Sequence, residues 1–378
     1  MKEVLFNEGQ KIKDRLAEIS EYIYNNPELG NQEFKAVEIL TSFLEEHNFT
    51  VEREFLDIKT AFRATYDSKK EGPTIGYLCE YDALPEIGHG CGHNMIGPMS
   101  AGAGIILSKI LNQVGGRIIV YGTPAEETDG AKVIFAENGV FDELDAAMMA
   151  HPASETFRSG YTIALYPLQF TYRGKTAHAA ASPHEGINAL NSVIQLFNGI
   201  DALRQHVTPD VRMHGIITSG GVAANIVPDE AVAQFYFRAA SKETLEDVLE
   251  KVKKIAEGAA LMTGATLTME RYELPYDNLV TNENLSEAFN ENLRSLGITE
   301  IKAKESAGSS DIGNVSHITP TIHPYIGISN CHIGGHSREL ADATVTSLGH
   351  ERLLVAALAL AYTGYDVLTN KVNLQQNK

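Results

Sequence analysis

A cysteine and a histidine lie two positions apart inside a glycine-rich turn. The segment reads His-Gly-Cys-Gly-His-Asn over residues 89–94, with Cys91 and His93 on either side of Gly92. Glycine lets the backbone turn tightly enough for both side chains to reach one centre, and thiolate and imidazole are favoured ligands of zinc-like ions. The hexapeptide alone is equally compatible with a metal site and with a turn that holds a buried cysteine and a surface histidine.

Further ligand-type residues follow other apolar segments. Glu126 and Glu127 are adjacent, so their side chains diverge, and one carboxylate can bind a metal while the other carries a proton. His151 ends an apolar run, and His332 and His336 form a second glycine-flanked pair, of which only one need be a ligand. Taken singly, the glutamate pair is typical of solvated surface and His151 of a structural histidine. Their occurrence together favours metal chemistry.

The elements that must position these residues alternate in a βαβ-like order. Apolar periodicity predicts helices over residues 6–24, 31–48, 95–111 and 131–138, and strands over residues 61–66, 74–79, 117–121 and 146–150. The last three strands end close to Asp82, Glu126 and His151. In open α/β sheets ligands bind at such strand ends, so we expect these side chains to share one site.

The alternation changes within residues 166–273. The predicted order is strand 168–172, helix 185–204, strands 212–218 and 231–238, helix 242–262 and strand 265–270, before a helix at 283–296, short apolar strands and a long final helix. This βαββαβ order is typical of a ferredoxin-like unit. We therefore expect an α/β fold in which residues 1–165 and 274–378 form one domain, with a central mixed sheet flanked by helices. Residues 166–273 form an inserted ferredoxin-like domain.

Composition indicates a globular protein of two domains and excludes several classes of function. The 378 residues include 31 Lys and Arg against 49 Asp and Glu, and the formal net charge of -18 would repel nucleic acid. The first 14 residues lack the apolar core of a signal peptide, and no stretch reaches membrane-spanning length. An odd number of cysteines, Cys79, Cys91 and Cys331, argues against a disulfide framework. We expect a cytoplasmic protein without membrane or nucleic-acid partners.

Six short motifs stand in the order that they have in a known family. They are NPELG at 26–30, EYDALP at 80–85, HGCGHN at 89–94, PAEE at 124–127, GKTAHA at 174–179 and GSSD at 308–311. With these motifs the chain resembles the aminoacylase and carboxypeptidase G metallopeptidases over nearly its whole length. It is similar to the branch of hippurate hydrolase and auxin-conjugate amidohydrolases, which carry Cys-Gly-His in place of a bridging aspartate. Residues 80–94, 313–316 and 323–325 look closest to amidohydrolases of β-alanyl and related dipeptides.

The resemblance implies a two-metal amidohydrolase that cuts the amide bond of small N-acyl amino acids or dipeptides. Two divalent ions per subunit, Zn²⁺, Mn²⁺ or Co²⁺, are implied, with the Cys91 thiolate between them. The implied ligands are Cys91, His93, Glu127, His151 and His336, with His332 outside the set. Glu126 becomes the general base that takes a proton from water and passes it to the leaving amine, and Asp82 orients a metal ligand.

The resemblance also makes the inserted domain a lid and dimerisation domain. His178 is implied to polarise the scissile carbonyl, from its own chain or from a partner subunit, and Asn225 and Arg238 to bind substrate. Without the resemblance, His178 is typical of a loop histidine, and Asn225 and Arg238 are typical of ordinary polar surface. The implied partner is a second copy of the chain, in a homodimer or higher homo-oligomer paired through edge strands.

Two positions depart from the family pattern, and three other functions stay open. Asn94 replaces the usual aspartate and Glu80 stands where an aspartate is frequent, so ligand orientation and metal preference are open. One alternative function is an aminoacylase or carboxypeptidase for N-aryl amino acids. A second is a non-catalytic metal-binding or ligand-binding relative, against which the pair of Glu126 and Glu127 argues. A third is a thiol hydrolase that uses Cys91 and would resist chelators.

Overall fold

The computed structural model describes residues 1–304 and 308–375 and divides into two compact units. The second unit comprises Thr162–Asn278 together with Gly308–Ser310, and the first comprises the other described residues. The predicted inserted domain, residues 166–273, lies within the second unit. The unit starts a few residues earlier than predicted because its first strand begins at Ala164.

The first unit opens with two helices and then alternates strands and helices. In chain order these elements are α1 (Lys2–Asn25), α2 (Phe34–Glu46), β1 (Thr50–Arg53), β2 (Phe62–Asp67), β3 (Thr74–Cys79), α3 (His93–Val114), β4 (Arg117–Gly122), α4 (Ala131–Glu137), β5 (Ala146–Met148) and β6 (His151–Ala153). α2 begins later than predicted because residues 26–33 form a loop in which Asn31 has a left-handed backbone, with φ of 64°. The strand predicted over residues 146–150 ends at Met148, and His151 opens the separate strand β6.

The chain then forms the second unit and returns to the first. The second unit contains β7 (Ala164–Arg173), α5 (Ala189–Leu203), β8 (Arg212–Ser219), β9 (Glu230–Ala239), α6 (Lys242–Thr263) and β10 (Thr266–Glu270). The returning segment contains α7 (Glu283–Ser295), α8 (Ile312–Ser316), β11 (Thr321–Ile322), β12 (Tyr325–Gly327), α9 (Arg338–Ala343) and α10 (Ser347–Leu368).

A six-stranded mixed sheet forms the centre of the first unit, with strand order β1-β2-β4-β3-β5-β11. Strands β4, β3, β5 and β11 are parallel, whereas β2 pairs antiparallel both with β4 and with the edge strand β1. All six residues of β3 are buried, as expected for a parallel strand covered on both faces. β6 and β12 pair in parallel as a separate two-stranded ribbon.

The small residues of α3 allow this helix to pack closely inside the first unit. A Cβ at Gly102 would lie 2.9 Å from Leu16 Cδ2 of α1, and one at Gly104 would lie 2.7 Å from Val120 Cγ2 of β4. α10 also packs against α3, so the main core joins these helices to the sheet. This packing fixes the start of α3, where His93 is the first helical residue.

The second unit has a four-stranded antiparallel sheet in the order β10-β7-β9-β8. Numbered along the unit, this order is 4-1-3-2, the arrangement of a ferredoxin-like βαββαβ domain. Along β9, buried residues alternate with more exposed ones, and the buried face packs with α5 and α6 in one core. The predicted fold class, a helix-flanked mixed sheet with an inserted ferredoxin-like unit, is confirmed. Within the described residues, no helix is both long enough and apolar enough to cross a membrane.

Candidate metal centre

The turn that carries Cys91 and His93 requires glycine between them. Gly92 has a φ of 80°, in the left-handed region, and a Cβ there would lie 2.4 Å from Pro152 Cγ. The close approach brings the turn against the start of β6, and the Cys91 Sγ atom lies 3.6 Å from His151 Nε2. The predicted tight turn therefore brings the Cys91 thiol close to the His151 imidazole. The same turn also carries the imidazole of His93, the residue after Gly92.

Asp82 holds two parts of the site with one buried carboxylate. One oxygen accepts a hydrogen bond from His93 Nδ1 at 2.9 Å, and the other accepts one from the Glu127 backbone N–H at 3.0 Å. Burial opposes ionisation of Asp82, but the adjacent His93 outweighs it, and the pKa of Asp82 is lowered. Because Nδ1 of His93 donates to Asp82, its Nε2 faces the site as a possible metal ligand.

His151 is held in the form that a metal ion requires. Its Nδ1 lies 2.8 Å from the Pro152 carbonyl oxygen, to which it donates, so Nε2 keeps its lone pair. Burial, together with the nearby His93, lowers the pKa of His151 to about 3. The imidazole is therefore neutral at physiological pH, as in metal-bound histidines.

The two adjacent glutamates follow a strained backbone turn, and their side chains lie in different environments. Ala125, just before them, has a φ of 62°. Glu127 Oε1 lies 3.4 Å from His336 Nε2 and 3.9 Å from His93 Nε2. Burial raises the pKa of Glu126 well above its usual range, and the neighbouring carboxylates of Glu80 and Asp311 add to this effect.

The five predicted ligands form two overlapping groups. One group is Cys91, His93 and His151, and the other is Cys91, Glu127 and His336; in each, the candidate ligand atoms lie within 4.8 Å of one another. Cys91 belongs to both groups, so its sulfur would be a candidate donor in either of them. His93 Nε2 and Glu127 Oε1 are buried and lack hydrogen-bond partners among the described residues, as expected of atoms that bind cations. The sulfur, nitrogen and oxygen donors fit a pair of divalent ions.

A buried lysine occupies a third group of acidic residues next to this centre. Glu80, Glu126 and Asp311 offer oxygens within 4.8 Å of one another, and Lys132 Nζ lies 2.7 Å from both Glu80 and Asp311. The Lys132 side chain has no exposed surface. Burial opposes its charge, but Asp311 and Glu80 outweigh it and raise the pKa of Lys132, so a fixed positive charge balances the carboxylates.

The other predicted site residues lie in the second unit. His178 is exposed, and its Nδ1 accepts hydrogen bonds from the backbone N–H groups of Ala180 and Ala181, both at 3.2 Å. Its Nε2 therefore carries the proton and can donate it to an oxygen. Asn225 is nearby, since its carbonyl accepts from the N–H of Ala179 at 3.0 Å.

Arg238, the third of these residues, lies on β9. Its Nη1 donates to Ser309 Oγ at 3.0 Å, and its guanidinium lies 5.6 Å from the ring centre of Tyr236. The structure thus brings His178 and Asn225 together on adjoining loops and gives Arg238 separate partners.

Sequence reasoning missed His323 as well as Lys132. The His323 ring is buried, with its centre 5.5 Å from that of His151 and 5.0 Å from that of Tyr325. In the sequence, His323 stands out only as part of the motif at residues 323–325. The other late histidine, His332, belongs to none of the ligand groups found among the described residues.

Comparison with known proteins identifies relatives along the whole chain. Residues 168–262 match the family model of the peptidase dimerisation domain. The chain is 37% identical over 372 residues to the Xaa-Arg dipeptidase of Mus musculus, a match that covers 94% of this chain and 86% of that protein. It is 35% identical over 323 residues to one of the subunits of p-aminobenzoyl-glutamate hydrolase from Escherichia coli (strain K12), a match that covers 79% of this chain and 66% of that protein.

A solved structure has the same fold. The Bacillus subtilis YXEP protein, a dinuclear metal-binding peptidase from the M20 family, matches with a TM-score of 0.69 at 21% identity. The match covers 95% of this chain and 99% of that one.

Proposed function

This chain belongs to the M20 family of metallopeptidases, and from that premise we propose that its substrates are dipeptides with a basic C-terminal residue. It is a metal-dependent amidohydrolase of small N-acyl amino acids or dipeptides, and its relatives include an Xaa-Arg dipeptidase and a p-aminobenzoyl-glutamate hydrolase. The convergence of Cys91, His93, Glu127, His151 and His336 beside Glu126 is the observation that carries the proposed mechanism.

The charge of the chain favours a cationic substrate. A formal net charge of -18 raises the local concentration of cations and repels anions. A dipeptide ending in Arg or Lys matches this field, and one relative is an Xaa-Arg dipeptidase. The second candidate substrate, an N-aroyl glutamate, carries two carboxylates, but the 35% identity to the p-aminobenzoyl-glutamate hydrolase favours it.

The substrate class is tested by comparing kcat/KM across a matched panel. The panel contains β-alanyl-lysine, an Xaa-Arg dipeptide, hippurate and p-aminobenzoyl-glutamate, each at low and high salt. We expect the basic dipeptides to give the highest kcat/KM and to lose more of it at high salt than hippurate does, because salt screens the attraction. Preference for p-aminobenzoyl-glutamate at both salt concentrations would select the second candidate.

Two divalent ions are proposed as the resident cofactor. Cys91, His93 and His151 would hold one, and Cys91, Glu127 and His336 the other. When bound, such a pair supplies Lewis acidity that lowers the pKa of water and polarises a carbonyl. The thiolate favours zinc, although the imidazoles and carboxylate would also hold manganese.

The protein groups provide proton transfer and orientation. Glu126 takes a proton from the attacking water and delivers it to the leaving nitrogen, a role that suits a carboxylate with a raised pKa. His178 donates from Nε2 to the oxygen of the tetrahedral intermediate. Asp82 keeps His93 and the Glu127 backbone in place, and Asn225 and Arg238 bind the substrate's polar groups.

Two substitutions separate the proton carrier from the metal ligands. Glu126→Gln should keep bound metal and lose about 100-fold or more in kcat, because an amide cannot accept the proton. Cys91→Ser should lose metal affinity, whereas Cys331→Ser, at an exposed free cysteine, should keep both metal and activity. Metal content by elemental analysis and kcat on one dipeptide are measured for each. Near wild-type kcat in the Gln variant would remove Glu126 as the base.

The second unit is proposed to form a homodimer, and the chain to act in the cytoplasm. Strand β8 ends the sheet order and exposes Ile216 by 63% and Ile217 by 45%, which suits pairing with a second copy. Free Cys79, Cys91 and Cys331 suit a reducing compartment. A monomer in analytical ultracentrifugation with full activity would overturn the dimer.

A further inference from the structure

The loop between α1 and α2 contains a buried glutamate that the proposed mechanism does not use. Glu33 has no exposed surface and immediately precedes α2. Its Oε1 accepts a hydrogen bond from the Ala125 backbone N–H at 2.9 Å. Ala125 is the residue before Glu126, so this contact reaches the turn that carries the proposed base.

Ala125 needs support, because it has a left-handed backbone without being glycine. Its φ of 62° is unfavourable for an L-residue with a Cβ. The Ala125 carbonyl accepts from the N–H groups of Gly130 at 2.7 Å and Thr128 at 3.2 Å. The bond to Glu33 holds the N–H of the same residue, so both sides of Ala125 are fixed.

Gly30, in the same loop, packs directly against this turn. A Cβ at Gly30 would lie 2.5 Å from Thr128 Oγ1 and 2.9 Å from Ala125 Cβ. The backbone of the loop therefore fills the space beside Ala125 and leaves little room for the turn to relax.

The loop also contacts the second segment of the site. The Glu28 carbonyl accepts from the Ala83 N–H at 2.8 Å, directly after Asp82. Asp82 in turn accepts from His93 and from the Glu127 N–H. Residues 28–33 thus connect to both segments that meet at the metal centre.

We propose that Glu33 is a positioning residue whose side-chain oxygen holds Ala125 in the left-handed conformation and thereby directs Glu126 and Glu127 to their separate places. The inference rests on the proposed roles of those two glutamates. Burial raises the pKa of Glu33 to about 7, but either protonation form offers an oxygen to the Ala125 N–H. A merely structural role would change stability without changing kcat in the folded enzyme.

The test compares two neutral side chains of similar length at position 33, and the purified metal-loaded enzyme is assayed. Glu33→Met removes the acceptor, and we expect kcat to fall about tenfold to a hundredfold with KM nearly unchanged, because the base is misplaced. Glu33→Gln keeps an oxygen for the Ala125 N–H and should retain most of kcat. Wild-type kcat in folded Glu33→Met, or equal losses in both variants, would overturn the inference.

A second substitution tests whether the effect passes through Ala125. Glycine adopts the left-handed region freely. The double variant Glu33→Met/Ala125→Gly should therefore have a kcat at least about threefold higher than that of Glu33→Met. No recovery would overturn the proposed route. If Glu33→Met does not fold, Gly30→Ala replaces it: its Cβ presses on the same turn, and we expect a fall in kcat, with wild-type kcat contradicting the inference.

The proposed function can fail separately from this inference. If Glu126→Gln keeps full activity, the proposed base is wrong whatever Glu33 does. If Glu126→Gln is inactive and Glu33→Met is fully active, only the positioning role is wrong.

Discussion

At Gly92 a single missing Cβ allows the two sides of the metal centre to meet. Alanine there would have to adopt a φ of 80° and would place its Cβ 2.4 Å from Pro152 Cγ, next to His151. We expect Gly92→Ala to lower metal affinity at least about tenfold, since the Cys91 turn and His151 are pushed apart. Titration of the metal-free protein with zinc, followed by calorimetry, measures this.

A second glycine with the same backbone conformation serves as the control. It separates the effect of backbone strain from the effect of a Cβ that presses on the metal centre. Gly264, at the end of α6, also has a φ of 80°, but a Cβ there meets nothing within 4 Å. Gly264→Ala should lose only about 1 kcal/mol of stability and bind metal normally. If both variants bind metal as the wild type does, close approach at Gly92 is not required for the site.

The buried Glu33 carboxyl gives the stability of the protein a predictable pH dependence. Burial raises its pKa from 4.5 to about 7 in the folded state. Between these values the unfolded chain releases this proton and the folded chain keeps it, so the contribution of Glu33 to stability falls as pH rises. Glutamine does not titrate, so Glu33→Gln removes this pH-dependent contribution to stability. The unfolding free energy of the variant minus that of the wild type should therefore increase by about 3 kcal/mol between pH 4.5 and 7. Urea unfolding at several pH values measures the difference, and a flat difference would contradict the prediction.

At the level of elements, α4 carries a charge that the core tolerates only because it is paired. Lys132→Met would leave the buried carboxylates of Glu80 and Asp311 without their shared cation. We expect a loss of about 3–5 kcal/mol in unfolding free energy at neutral pH, the cost of breaking a buried ion pair. Lys251→Met on α6, which removes a surface pair with Asp247, should lose less than about 1 kcal/mol. Equal effects of the two substitutions in urea unfolding would show that the buried pairing is unimportant.

The elements that sequence predicts well are those with long apolar patterns. The predicted limits of β3 match the observed ones and those of α6 agree within one residue, because β3 is a continuous buried run and α6 repeats its buried positions at helical spacing. β1 was missed, since its four residues are mostly exposed and show no apolar pattern. Likewise the loop over residues 31–33 was assigned to a helix, because nothing local reveals the left-handed backbone of Asn31.

The same distinction applies to the candidate site. The five proposed ligands follow from the motifs that the chain shares with a known family, since the glutamate pair and His151 taken singly are typical of surface and structural residues. Lys132 and Glu33 carry no such signal: the partners of Lys132 lie 52 and 179 positions away, and that of Glu33 lies 92 positions away. A lone charge in an amphipathic segment predicts a solvated surface. Only the folded chain shows that these two charges are buried.

For the whole molecule, the second unit should complete the active site of a second copy. His178 is exposed and keeps an N–H at Nε2 for a ligand, as a residue that serves a partner subunit would. His178→Ala and Glu126→Gln should each be nearly inactive alone. When they are mixed, unfolded and refolded together, half of the dimers contain one chain of each kind, and one of their two sites has neither change. Activity should then return to about a quarter of wild type.

The control for this complementation uses the exposed edge strand. Ile216→Glu, placed in both chains, brings like charges together across the proposed two-fold axis and should prevent both dimer formation and the return of activity. Phe6→Glu, at an exposed position of α1 in the first unit, should leave both unchanged. Ultracentrifugation of each mixture reports assembly beside the kinetics. If mixed dimers form and stay inactive, His178 acts in its own chain. Activity that returns without dimers would show that it does not act from a partner.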